Sequence, residues 1–161
     1  MPRSAPFVHR NLPLLLLKAR EALMQHRRPA LRAHGLSDQQ WRVLRVLREH
    51  AEDGLETGQL AERAYILGPS LTGMLARMER DGLVTRQRSA EDARRSLVWA
   101  TDEGLTVADG LSNSIESQYE DLAAHLGPAR LTQLYALLDE LIALPPHALV
   151  ETTEEEEESV R

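Results

Sequence analysis

Cysteine is absent from this 161-residue sequence. That excludes a disulfide framework, a thiolate metal site, a cysteine nucleophile and a thiol-based redox sensor together. Long apolar runs are missing too. Leu14 to Leu17 is the longest near the start, far short of the ~20 residues of a membrane span and of the ~7 of a signal-peptide core. A cytoplasmic protein is therefore expected. Lysine is nearly missing: Lys18 stands alone beside eighteen arginines. Such a bias reflects either codon usage or the forked recognition of phosphate that guanidinium allows. What remains is ordinary, with 42% apolar and 27% charged residues, and the length suits one domain or two small joined ones.

The net charge of −6 is unevenly placed. Residues 151–161 hold six glutamates and one arginine. Residues 1–50 carry ten basic and three acidic groups. Residues 63–95 carry seven arginines against four acids, and residues 101–150 carry one base against eight acids. This separation points to one face for an anionic partner and a distinct acidic body.

Helical spacing of Leu14, Leu17, Glu21 and Met24 predicts a first helix from about Leu12 to His34, kinked or ended at Pro29 and stopped by Gly35. Ser37 and Gln40 form a capping box for a second helix running to about His50, with Leu36 and Trp41 as its hydrophobic staple. Asp53-Gly54 reads as a turn. Thr57 is the expected N-cap of a short third helix reaching Tyr65. Gly68-Pro69 opens a fourth, with Pro69 at its first position. There Leu71, Met74, Leu75 and Met78 make a core stripe, and Asp81-Gly82 ends it. Leu83 to Arg88 and Ser96 to Ala100 predict a β-hairpin with a charged tip at residues 89–95. Thr101 caps a long helix to about Leu126, Gly127-Pro128 breaks the chain, and a last helix spans Ala129 to Leu144. The glutamate run after Pro146 reads as a solvated, disordered tail.

Two short helices joined by a tight turn and followed by a hairpin describe a winged helix-turn-helix, an all-α fold with a small β wing. The helix from Pro69 is the expected recognition element. Opposite its apolar stripe lie Ser70, Gly73, Arg77 and Arg80, flanked by Thr72. Its small first turn lets backbone approach bases, and its N–H groups suit a phosphate. Arg77 suits a guanine edge or a phosphate. At the hairpin tip, Arg94 and Arg95 are either a minor-groove reader or an exposed charged turn. Arg86 and Arg88 share a strand face and contact either phosphate or nearby carboxylates. Apolar helices at both chain ends predict an isologous dimer, built from residues 10–35 and 101–145 around a DNA-binding domain at 36–100. No cofactor is expected. The histidines show no paired ligand spacing, so no metal is expected either. No triad ordering, phosphate loop or zinc motif supports an enzyme.

The segments Leu60-Ala-Glu-Arg-Ala64, Ser70 through Arg86, Asp92-Ala-Arg-Arg95 and Ala100-Thr-Asp-Glu-Gly104 resemble the MarR family of transcriptional regulators, over residues ~12–144. More narrowly, Ala19-Arg-Glu-Ala22, Gln39-Gln-Trp-Arg42 and Pro69-Ser-Leu-Thr-Gly73 resemble the branch that represses homoprotocatechuate (hydroxyphenylacetate) degradation operons. The resemblance implies a homodimer on a palindromic operator of double-stranded DNA, released by a small aromatic carboxylate of hydroxyphenylacetate or hydroxynicotinate type. An aromatic acid needs a cation and a flat apolar wall. Arg20, Trp41 and Arg42 offer both, with His9 and Tyr65 as further candidates by position. Trp41 is also explained by the staple alone. The alternatives are a regulator of efflux, stress or biofilm genes with a different ligand, and a winged-helix scaffold that binds no DNA.

Overall fold

A computed structural model describes residues 8–88 and 96–145. The order is α1 Leu12–Ala33, α2 Asp38–Glu49, β1 Leu55–Glu56, α3 Thr57–Arg63, α4 Gly68–Arg80, β2 Val84–Arg88, β3 Ser96–Ala100, α5 Asp102–Leu126 and α6 Pro128–Ile142. The fold is mostly helical, with one small antiparallel sheet. Among the described residues no helix is long and apolar enough to cross a membrane. The chain divides into two compact units, one up to Gln118 and one from Tyr119, with the boundary inside α5.

Local chemistry sets most helix ends in the first unit. The Asn11 side chain accepts the Leu14 amide at 3.0 Å to start α1. α1 then continues through Pro29 to Ala33, so Pro29 does not end it. Gly35, at φ +67°, closes it. The capping box of α2 is formed from both sides: Gln40 N donates to Ser37 Oγ at 3.2 Å, and Ser37 N to Gln40 Oε1 at 2.9 Å. Leu36 and Trp41 are both buried, as the staple requires.

Two cap expectations are corrected. Glu56, not Thr57, is the N-cap of α3. The Thr57 hydroxyl instead donates to the Ser96 carbonyl at 3.1 Å, tying α3 to β3. Gly68 is the first residue of α4, so Pro69 holds the second position, where its absent N–H is equally harmless.

The sheet has three strands rather than two, in the order β1-β3-β2. Leu55 pairs with Val98 on one side of β3, and Arg86 faces Val98 on the other. β1 has two residues, too few to show alternation, and exists only because β3 offers a free edge. Gly54 leads into it at φ +68°, where a Cβ would lie 2.5 Å from the Trp99 indole.

The core of this unit gathers Val43, Leu44 and Leu47 of α2, Leu60 of α3, Leu71, Leu75 and Met78 of α4, Val84, Val98, and Ala108, Leu111 and Ile115 of α5. Every one of these is at most 2% exposed. Leu12, Leu14, Leu16, Leu17 and Leu23 of α1 remain exposed.

In the second unit, Gly127, at φ +87°, is the N-cap of α6. Leu134, Tyr135, Leu137 and Ile142 are exposed along it.

Candidate nucleic-acid interface

α4 separates its two faces cleanly. Leu71, Met74, Leu75 and Met78 are buried, whereas Pro69, Ser70, Thr72, Gly73, Arg77 and Arg80 are exposed. The inward stripe locks the helix against α3 and the sheet, and so presents the outward residues on a rigid element. No side chain caps its first turn, so its leading N–H groups stay available to an acceptor. The Thr72 hydroxyl donates back to Gly68 O at 3.2 Å. The Arg77 guanidinium folds back by one turn, 4.0 Å from where a Cβ on Gly73 would stand.

β2 begins after Gly82 and carries Arg86 and Arg88. Arg88 is exposed. Arg86 pairs with Glu79 of α4, its Nε donating to Oε2 at 2.9 Å and its Nη2 to the same oxygen. That hydrogen-bonded guanidinium holds the Glu79 carboxyl below its ordinary value of 4.5. Of the two strand alternatives, Arg86 therefore makes the carboxylate contact here. Arg94 and Arg95 lie outside the described residues.

The five effector candidates do not share one place. His9 is exposed ahead of α1. Arg20 Nη2 donates to Asp38 Oδ2 at 2.7 Å. Arg42 Nε lies 3.5 Å from that same oxygen. Arg42 Nη1 donates to the carbonyls of Ala64 at 2.8 Å and Tyr65 at 3.0 Å. Tyr65, at φ +52°, sits in the turn between α3 and α4 with its side chain exposed.

Trp41 borders a cleft formed with Arg45, Arg48 and Glu49 of α2 and Ser112, Ile115 and Glu116 of α5. Arg48 pairs with Asp109, and Arg45 Nε lies 3.6 Å from Glu49 Oε1. Arg45 and Arg48 follow Trp41 at helical spacing, which is a local signal. Their partners on α5 stand more than sixty residues away, and no local pattern joins the two groups.

Residues 34–95 match the MarR family. The chain is 42% identical over 137 residues to the homoprotocatechuate degradative operon repressor of Escherichia coli, covering 85% of this chain and 91% of that protein. The chain belongs to the MarR family. Among solved structures, transcriptional regulator PA4135 superposes with a TM-score of 0.77 at 44% identity, covering 86% of this chain and all of that one. NadR in complex with 4-hydroxyphenylacetate superposes with a TM-score of 0.76 at 36% identity, covering 90% and 100%. The chain is thus a MarR-type DNA-binding transcriptional regulator with a winged-helix fold.

Proposed function

We propose that this chain is a homodimeric repressor that binds a palindromic operator and is released by a small aromatic acid, controlling genes for aromatic degradation. The observation that carries the reading is the two-faced α4: a fully buried stripe behind Ser70, Gly73, Arg77 and Arg80. A helix so anchored enters the major groove with its first turn and side arginines leading. Pro69, Ser70, Thr72, Gly73, Arg77 and Arg80 form the groove-facing set. Arg86, Arg94 and Arg95 of the wing grip the backbone and the minor groove, Arg86 exchanging Glu79 for phosphate.

The exposed leucines of α1 and the apolar residues along α6 support the dimer, since a second copy related by a twofold axis would cover them. Residues 10–35 and 101–145 then form the dimerisation region, and residues 36–100 the DNA-binding domain. Two recognition helices about 34 Å apart explain a palindromic site.

The cleft beside Trp41 supports the effector reading. The indole supplies a flat wall, and Arg45 and Arg48 supply cations for a carboxylate on releasing Glu49 and Asp109. The hydroxyphenylacetate class is favoured by the likeness to the Escherichia coli repressor and to the 4-hydroxyphenylacetate-bound NadR. Arg20 and Arg42 serve the same purpose only after giving up Asp38 and, for Arg42, the turn carbonyls.

Fluorescence anisotropy with a labelled duplex, selected by the protein from a random pool, tests the proposal. Affinity falls steeply with salt, with a slope that counts neutralised phosphates. Binding with neither salt dependence nor sequence preference would leave only a scaffold.

A further inference from the structure

Three helices of the first unit end in the same hydrogen-bonded form. At α1, Gly35 N donates to Arg32 O and Leu36 N to Leu31 O. At α4, Gly82 N donates to Glu79 O and Leu83 N to Met78 O. At α3, Tyr65 N donates to Glu62 O and Ile66 N to Ala61 O. This paired closure needs one residue in the left-handed region, normally glycine. Two ends use it, Gly35 at φ +67° and Gly82 at φ +73°. The third holds Tyr65 at φ +52°, where an aromatic side chain is strained.

Burial does not explain the tyrosine, because it is 89% exposed. What holds it in place is Arg42, whose Nη1 takes the carbonyls of Ala64 and Tyr65 at 2.8 and 3.0 Å. Asp38 stands 3.5 Å from the Arg42 Nε and steadies the guanidinium. A strained residue persists where its surroundings over-determine it, and such sites gather at functional positions. Tyr65 stands three residues ahead of Gly68, the first residue of the recognition helix. In a docked helix-turn-helix the helix before the recognition helix crosses the DNA backbone, where a phenol can donate to a phosphate oxygen.

We propose that Tyr65 is a contact to the DNA phosphate backbone, and that Arg42 is the positioning residue that holds it in a conformation which the other two helix ends leave to glycine. The assignment rests on the DNA-binding reading above. It moves Tyr65 and Arg42 from the effector to the operator.

Duplex anisotropy and thermal melting of the full chain decide it. Tyr65→Phe keeps the fold and weakens duplex binding by about tenfold, the loss of a hydrogen bond to a charged group. Tyr65→Gly weakens binding as much while raising Tm by about 2 °C or more, because the backbone strain is relieved. Arg42→Gln lowers both Tm and affinity, and adding Tyr65→Gly restores Tm but not affinity. A purely structural tyrosine cannot give opposite signs in the two measurements. Unchanged affinity in both Tyr65 variants overturns the contact, and a lowered Tm in Tyr65→Gly overturns the strain. If the wild type shows no salt-dependent duplex binding, the DNA-binding reading fails and this contact with it. Wild-type binding that the Tyr65 variants leave intact removes only the contact.

Discussion

Gly104 lies against the backbone of Leu83 so closely that a Cβ at position 104 would overlap the Leu83 carbonyl oxygen and stand 3.1 Å from its carbon. Thr101 completes the junction. Its amide donates to Leu83 O at 3.1 Å, its hydroxyl donates to Gly82 O at 2.5 Å, and the hydroxyl accepts the Gly104 amide at 3.0 Å. A threonine and a glycine three apart thus fasten the start of α5 to the loop between α4 and β2. The spacing of Thr101 and Gly104 has its physical reason there, at the loop that leads from α4 into β2.

Gly104→Ala follows directly. The obstacle is backbone, not the end of a flexible side chain, and Leu44 Cδ2 blocks the other direction at 3.3 Å. The substitution lowers stability by about 1–3 kcal/mol, the usual cost of overpacking. The urea midpoint measures it; an unchanged midpoint at constant m-value contradicts the packing argument.

Glu79 gives a pH signature. Its carboxyl titrates below 4.5 in the folded chain because Arg86 hydrogen-bonds to its ionised form. A lowered folded value means that the pair stabilises the fold above the ordinary value and that this contribution disappears as pH falls through the lowered one. Glu79→Gln is thus less stable than the wild type at neutral pH, and the difference closes on the acid side of 4.5. Thermal melting of both proteins across that range checks the sign; a gap that widens in acid contradicts it.

Arg94→Ala weakens operator binding by at least about tenfold, the scale of a lost charged contact to DNA, with the dimer intact by sedimentation. Anisotropy on the selected duplex reads the loss. Wild-type affinity in the variant would take the wing out of the interface and leave α4 to carry recognition alone.

The cleft beside Trp41 predicts a ligand effect. Hydroxylated aromatic acids raise the melting temperature, as any binder of the folded state does. Arg45→Ala removes that rise and leaves duplex affinity within about threefold, the range of a small rim effect on DNA binding. A normal rise in Arg45→Ala, lost instead in Arg20→Ala, places the carboxylate on α1.

Chain-local chemistry determined a large part of this protein. The Ser37–Gln40 box, the glycine stops at 35 and 82, the α4 stripe and the hairpin strands are decided within a few residues of each other, where capping, backbone freedom and periodicity act. The family likeness and the outward set of Ser70, Gly73, Arg77 and Arg80 were legible on the same basis. Tertiary structure alone decided the rest. β1 exists because β3 has a free edge. Arg42 reaches the carbonyls of Ala64 and Tyr65 because α2 and the α3–α4 turn meet in space. The cleft of Arg45 and Arg48 needed α5 to return against α2. Each of these depends on which distant groups a side chain or strand edge finds as partners, and packing settles that after local preference has been spent.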